Sequence, residues 1–535
     1  MPANFFNYNN MQNKYLLPFL LLALFSNAIR AQTISWANDV APILYDHCVK
    51  CHRDGGLGGF SLIGYDNAFS YSEAIQTETQ AKRMPPWKAD PNYRRYAHEN
   101  RLTDAEIETI GAWVQGGTPM GDMSQAPVAP VFVEGSNVGI PDHVLSTPLY
   151  TLSSTEDEYR CFVIPSGLSQ NAYLRAVEAI PSNHEAVHHI LIYQDVTGEG
   201  RLKDEATPEP GYISFGGPGV SANLVGAWAP GYQVTLMPAG TGVKLNANAD
   251  LIVQMHYPKG AAGLTGQATL NFFFTPTTQD IRSINLVPII NHTPLSLLGG
   301  PLSIPGNTVK TYHSKFKLPV SISVLAVAPH MHYIGRSMLA FAVTPQNDTI
   351  PLVNVPDWDF HWQASYFFQK AQVIPAQSTL HAFALYDNTM NNPFQPSNPP
   401  QLVIEGEATT DEMMLLYFAY MTTKPGDENI IIDSTLLSTA LPLEPQNSAL
   451  SSLVLSPNPA HDGVSIRYEV VAATDLRTVI SDLNGRTVQL VADKQDVEPG
   501  IYQENVPTGH LPPGLYFVRL LTANGGVLSA KLVKQ

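Results

Sequence analysis

The chain has 535 residues with a formal net charge of -16, and 44% of its residues are hydrophobic while only 14% are charged. That length exceeds what one core can organise, so several domains are expected. An acidic chain repels phosphate backbones, which excludes nucleic acid as a partner.

The N-terminus carries an export signal. Lys14 precedes the apolar run Tyr15–Phe25, and the small residue Ala31 fits a cleavage point before Gln32, although Ile29 is bulkier than usual two positions earlier. The run is too short to span a bilayer comfortably, so residues 1–31 read as a cleaved signal peptide rather than an anchor. Met11 is an alternative start, because the preceding stretch has no targeting character.

Residues 33–122 are predicted to be helical at both ends. In "WANDVAPILYDHC", Val40, Ile43, Leu44 and His47 recur at helical spacing. In "LTDAEIETIGAWVQGG", Thr103 and Glu106 form a capping box, and Gly116-Gly117 ends the helix. Between these helices lie Cys48, Cys51 and His52, a C-x-x-C-H motif that reads as covalent attachment of a c-type haem. His52 is the expected proximal iron ligand. Met84, in "AKRMPPWKADPNY", is the preferred sixth ligand, with Met120 and Met123 as rivals beyond the second helix. A thioether ligand raises the potential and suits electron transfer. With both axial positions filled, such a haem moves electrons rather than binding substrate. The region resembles a small class I cytochrome c.

Residues 123–148 read as a Pro-rich linker. From there to residue 440, alternating runs such as "HHILIYQDV", "DLIVQMHYP", "SISVLAVAPHMHYIG" and "MMLLYFAYM" are separated by Gly, Pro and Asn clusters. They predict two tandem antiparallel β-sandwiches of jelly-roll type, 149–290 and 291–440, with no interrupting helix. Most of the 16 histidines fall here. His330 and His332 are two apart on a strand and so share a face. The adjacent His188 and His189 can share an ion only at a strand end or bulge. His256 follows another apolar strand. Imidazole suits copper, zinc, iron and nickel alike, so ligand type leaves the metal open. The leftover Cys161 is expected to be a small buried apolar residue.

In the order "VHHILIY", "QMHYP", "HMHYIG" and "GEATTDEMMLLYFAYM", residues 150–437 resemble the copper type II, ascorbate-dependent monooxygenases. That family includes peptidylglycine α-hydroxylating monooxygenase and dopamine β-monooxygenase. The resemblance implies two coppers across a cleft. His188, His189 and His256 would bind the electron-relay copper; His330, His332 and Met413 would bind the copper where dioxygen is activated. Met413 is preferred to Met414 because it follows Asp411-Glu412. The implied reaction hydroxylates a C–H bond of a small-molecule or peptide-like substrate with dioxygen and two electrons. Ascorbate or another external donor supplies them, with the fused haem as an internal carrier to the relay copper.

This chain departs from the peptide-amidating members. Ala328 replaces their carboxylate-binding arginine and Leu415 their asparagine, while Tyr417 is retained. An uncharged cleft and an apolar or neutral substrate are therefore expected. Animal relatives carry disulfides in these domains, which three cysteines cannot supply once two hold a haem. His184 is read as a supporting or surface residue, and His361 and His381 as packing or hydrogen-bonding residues. The run "WDFHWQASYFF" either packs the second sandwich or lines the cleft.

After a linker at 443–452, residues 452–535 resemble the type A sorting domain of type IX secretion, on "LSPNPAHDGVSI", "ISDLNGRTV", "LPPGLYFVRL" and "KLVK". This implies a small Ig-like β-sandwich recognised by the secretion machinery; a carbohydrate-binding or structural Ig-like module is the alternative. The expectation is thus a mainly β, multidomain, haem- and copper-containing monooxygenase, secreted or on the surface of a Bacteroidetes-type bacterium. The alternative is a non-catalytic electron-transfer or copper-binding surface protein.

Overall fold

The computed structural model describes residues 34–130, 132, 135–136, 138–230, 234–275, 280–432, 449–482, 487–522 and 527–535. The expected signal peptide, most of the second linker, and the Asn484-Gly485 and Asn524-Gly525 turns lie outside them. The chain divides into two compact units, 1–436 and 437–535. Among the described residues no helix is long and apolar enough to cross a membrane.

The first unit opens with a helical lobe. A π-helical turn, Trp36–Val40, runs into the helix Ala41–His47, and further helices cover Tyr65–Ser70, Ser72–Gln80 and Asp104–Gln115. The last begins with the expected capping box: Thr103 Oγ1 accepts the Glu106 N–H at 3.2 Å and Glu106 Oε2 accepts the Thr103 N–H at 2.6 Å. Its apolar face packs Ile110 and Trp113 against Trp36, Val40 and Leu44.

Two sandwiches follow. In the first, a sheet ordered His143–Ser146, Ala268–Phe274, Ala172–Pro181, Thr241–Leu245 and Arg282–Ser283 faces one ordered Tyr212–Ile213, Glu158–Pro165, Asp250–Tyr257, His189–Asp195 and Asn223–Trp228. In the second, a sheet ordered Asn285–Ile290, Leu415–Thr422, Ile322–His330 and Tyr366–Ile374 faces one ordered Leu297–Leu298, Thr308–Lys317, Thr379–Asn388, Gly335–Val343 and Thr349–Val355. Within these four sheets, among the described residues, pairing is antiparallel except between Arg282–Ser283 and Thr241–Gly242. Alternation is strict where one face meets the core: Leu380, Ala382, Ala384 and Tyr386 are buried, and the residues between them less so. Asp250–Tyr257 is buried at every position, because both faces of its sheet are covered. On the outer face Ile252 joins Cys161 and Tyr212 in a small second cluster. Cys161 is fully buried, as expected.

Four features differ from the sequence reading. The stretch expected to be linker contributes the edge strand His143–Ser146, paired with Thr269–Phe272. Asn285–Ile290, assigned to the first sandwich, pairs with Leu416–Tyr420 of the second. A helix, Glu199–Glu205, interrupts the strands, and its Gly200 approaches Ile252 so closely that a Cβ would lie 2.7 Å from that side chain. Finally, the chain after Met84 leaves the helical lobe and is built into the second sandwich. Ala89 and Tyr96 belong to that sandwich's core. Asp90 N–H donates to Asn354 O at 2.8 Å, Ala97 N–H donates to Phe367 O at 2.8 Å, and the Tyr96 hydroxyl donates to Leu352 O at 2.9 Å. Trp87, Tyr96 and Tyr366 form an aromatic cluster with centroids 5.2–6.2 Å apart.

The second unit is a sandwich of a three-stranded sheet (Leu450–Ser456, Gly463–Val470, Gly500–Pro507) and a four-stranded one (Thr487–Val497, Thr474–Asp482, Gly514–Thr522, Val527–Lys534). Val464, Ile466, Tyr468, Ile480, Val518 and Leu532 fill its core.

The strap from Trp87 to Ala97 should therefore behave as core. Tyr96→Ala is expected to lower stability of the first unit by about 3–5 kcal/mol, and Tyr96→Phe by about 1 kcal/mol, read as shifts in the urea midpoint. Equal midpoints for Tyr96→Ala and wild type would mean the strap is an ornament on the sandwich surface.

Candidate metal centres

The first centre arises from strand register. His189 begins its strand directly opposite His256 of Asp250–Tyr257. His188 lies just before the strand, where its N–H donates to His256 O at 2.9 Å. This strand end lets two adjacent histidines turn to one side, the condition the sequence imposed. The three side chains converge, with one ligand atom from each lying within 4.8 Å of the others. His188 Nδ1 and His256 Nδ1 lie 3.3 and 3.4 Å from His189 Nδ1. Nitrogens each about 2.0–2.1 Å from one ion sit at roughly such separations. The His256 ring stacks on Tyr159 at 4.2 Å and 5°, and the His188 ring on Phe360 at 4.4 Å and 12°. His188 Nε2 is buried with no partner. Burial holds all three imidazoles below their ordinary pKa, His188 and His189 well below it. They are neutral and electron-donating at neutral pH, so the residues fit a bound cation.

The second centre lies on the other sandwich. His330 ends the strand Ile322–His330, and Met331 between the two histidines is buried in the core, so His330 and His332 share the opposite side. Both rings use Nδ1 for support: His330 Nδ1–H donates to Gln363 Oε1 at 2.7 Å and His332 Nδ1–H to Asp411 O at 3.2 Å. Nε2 is thus the free atom, whereas in the first cluster the Nδ1 atoms face one another and His256 alone has its support on Nε2. Burial pushes His330 down to about 4 and His332 well below its ordinary value. Met413 is 6% exposed, and its backbone is held by the Glu412 carboxylate at 3.0 Å and the Tyr386 hydroxyl at 2.7 Å. Two neutral imidazoles and a thioether fit a soft cuprous ion.

His189, His330, His332 and Met413 all line one cavity of about 460 Å³. Ala328, Leu415 and Tyr417 line it as well, but so do Arg175 and Glu407. The cavity therefore carries charged groups, where the sequence reading expected none. Arg175 comes from the first sandwich, a position the family pattern does not mark.

Glu412, Gln363 and Phe360 are among the supporting residues that escaped the sequence reading. Glu412 is fully buried and accepts the N–H groups of His332 at 3.0 Å and Ile334 at 3.1 Å besides that of Met413. Burial pushes its carboxyl up to about 8. An acidic residue opening an apolar strand was the available signal, used only as a landmark for Met413. Gln363 gave no signal. Phe360 stands in the aromatic run noted above, and its ring touches both centres, face to His188 and edge to His332 at 5.8 Å. His361 is half-exposed beside Asp359, His381 pairs with His313 at 2.9 Å, and His184 lies against Trp228, all outside the two centres.

At the helical lobe, the N–H groups of Cys51 and His52 both donate to Cys48 O, at 3.1 and 2.9 Å, which winds the motif into one turn. His52 lies 4.4 Å from the Phe60 ring, and a Cβ on Gly58 would be 2.3 Å from His52 Nδ1. His52 Nδ1 and Trp36 Nε1 are buried without partners. Burial pushes the Cys48 thiol up to about 12, so it is no free thiolate. These features fit a covalently held group. Met84 is 41% exposed, and Met120 and Met123 comparably so, so exposure does not separate the rival sixth ligands.

Residues 307–431 match the model for the copper type II ascorbate-dependent monooxygenase C-terminal domain. The chain carries that domain. Residues 455–535 match the secretion system C-terminal sorting domain, which makes the chain a type IX secretion substrate, exported to the cell surface or released. No curated protein matches the chain. Solved structures include β-glucuronidases of Ruminococcus gnavus (11% identity, 48% of this chain, 46% of that one, TM-score 0.17) and Faecalibacterium prausnitzii (9%, 42%, 37%, 0.13). A β-galacturonidase of Eisenbergiella tayi gives 9%, 43%, 35% and 0.13. The chain spans less than half the length of these structures, and likeness at this level carries no argument.

Glu412→Ala leaves three buried N–H groups without their acceptor. It is expected to cost about 2–4 kcal/mol and to release metal from the His330 centre first. Unchanged metal retention and thermal midpoint would show that the carboxylate does not organise that centre.

Proposed function

We propose that the chain is an exported copper-dependent monooxygenase that hydroxylates a C–H bond of a small substrate. The observation that carries this reading is the shared cavity: the three-imidazole cluster reaches it through His189, and the imidazole–imidazole–thioether set borders it with all three side chains. His188, His189 and His256 would hold one copper through Nδ1; His330, His332 and Met413 would hold the other through Nε2 and sulfur. When bound, copper supplies one-electron chemistry and activation of dioxygen.

The chain's own residues do the rest. Burial keeps the five imidazoles neutral, so protons do not compete for them near neutral pH. Glu412, Tyr386 and Gln363 fix the second centre, leaving free donor atoms beside the cavity. Apolar walls such as Val177, Leu191, Trp228 and Phe418 exclude water around a bound substrate. Cys48, Cys51 and His52, with Met84 as sixth ligand, would hold a c-type haem, which supplies a one-electron store. Ascorbate or another external donor would refill it. A purely electron-carrying protein has no use for an apolar-walled cavity of this size beside Met413, which favours the enzyme over the non-catalytic alternative.

Protein matured with haem, loaded with copper and desalted is expected to contain one iron and two coppers per chain by plasma mass spectrometry. His188→Ala and His332→Ala should each lower copper by one and leave iron unchanged. Haem-loaded wild type that retains no copper would overturn the reading.

A further inference from the structure

We propose that Asp157 is a positioning residue that joins the two metal centres, fixing the His256 ring and, through Thr409, the segment that ends at Met413. The proposal rests on the copper reading for the identity of the ion, but its geometry stands for any ion that imidazole binds.

Asp157 precedes the strand Glu158–Pro165. Its Oδ1 accepts from His256 Nε2–H at 3.2 Å and from the Lys259 N–H at 3.0 Å. Its Oδ2 accepts from Thr409 N–H at 3.2 Å and Thr409 Oγ1–H at 2.9 Å. A carboxylate offers about four acceptor directions, and these four donors fill them. Asp157 is therefore not a spare ligand. It holds the proton on His256 Nε2, which leaves the Nδ1 lone pair aimed at His188 and His189. A metal-bound histidine commonly has such a partner on its other nitrogen, and the partner sets both tautomer and ring angle.

The second half of the contact reaches the other sandwich. Thr409 stands four residues before Met413, and two residues on, Asp411 O accepts from His332 Nδ1–H at 3.2 Å. Tyr159, whose ring stacks on His256, donates its hydroxyl to Glu407 O at 2.5 Å. His256 is thus tied on its edge and on its face to the one segment that positions Met413 and His332. An ion that orders His256 also orders Asp157, and Asp157 restrains that segment. Occupancy of the two centres is then thermodynamically linked, and the link is reciprocal.

The test uses the full chain, titrated with Cu(I) and separately with Zn(II) against chromophoric chelators. X-ray absorption distinguishes the second centre by its copper–sulfur signal. Asp157→Asn is nearly isosteric but brings an N–H to a place where only acceptors fit, so it favours the wrong His256 tautomer. It is expected to keep the wild-type far-UV circular dichroism and to weaken the three-histidine centre about 10–100-fold. Thr409→Val keeps the His256 contact. It should leave that centre within about twofold of wild type, but diminish the roughly fivefold or greater gain in second-centre affinity that filling the first one gives, the Thr409 N–H and the Tyr159 hydroxyl still tying the two sides. Wild-type affinity in folded Asp157→Asn, or undiminished linkage in Thr409→Val, would overturn the proposal. Zn(II) binding lost in Asp157→Asn, with no Cu(I) binding by wild type, would uphold this proposal and sink the copper reading. Wild type that binds neither ion would sink both.

Discussion

The site depends first on one antiparallel register. Pairing His189 with His256 brings two imidazoles from residues 67 apart in sequence onto neighbouring strands, and the His188 N–H closes onto the same His256 carbonyl. A slip of one residue in either strand would turn that strand's histidine to the other face. What prevents the slip is the full burial of Asp250–Tyr257: Leu251, Val253 and Met255 fill the main core, while Ile252 is held on the far side with Cys161. Apolar packing that has nothing to do with metals thus decides where the metal donors stand.

The second dependence is on the seam between the sandwiches. The first cluster turns its Nδ1 atoms toward one another and the second uses Nδ1 for hydrogen bonds, and each is supported by groups drawn from elsewhere in the first unit. Phe360, from the second sandwich, stacks on His188 of the first. Asp157, from the first, holds the segment before Met413. The same loop that carries Phe360 also receives the strap, since Lys88 pairs with Asp357 at 3.3 Å and Asp359 at 3.5 Å. The helical lobe, the strap and the two sandwiches are consequently one contact unit, and residues expected to belong to an independent haem domain complete another domain's core.

What was legible in the sequence follows from the range of the interactions. The capping box at Thr103 is encoded within four residues, and the structure forms it; each histidine motif is equally local, but the meeting of His188 and His189 with His256 depends on strand pairing. The need for a strand end at His188 was deducible from the two-residue period alone. Asp157, Gln363, Glu412 and Phe360 were not, because each acts on a residue tens to hundreds of positions away and none breaks a local pattern. The strap was hidden for the same reason: "KADPNYRRY" is polar and aperiodic, and only the cleft it fills makes Tyr96 a core residue. Reading the cleft as uncharged failed because only family positions were considered, whereas Arg175 enters from a strand outside them.

The most direct measurement of the central claim, two chemically distinct ions facing one cavity, is anomalous diffraction at the copper edge from copper-loaded crystals of the full chain. The account predicts two peaks, one bound by the Nδ1 atoms of His188, His189 and His256, the other by the Nε2 atoms of His330 and His332 and the sulfur of Met413. A single peak, or peaks away from these six side chains, would contradict it.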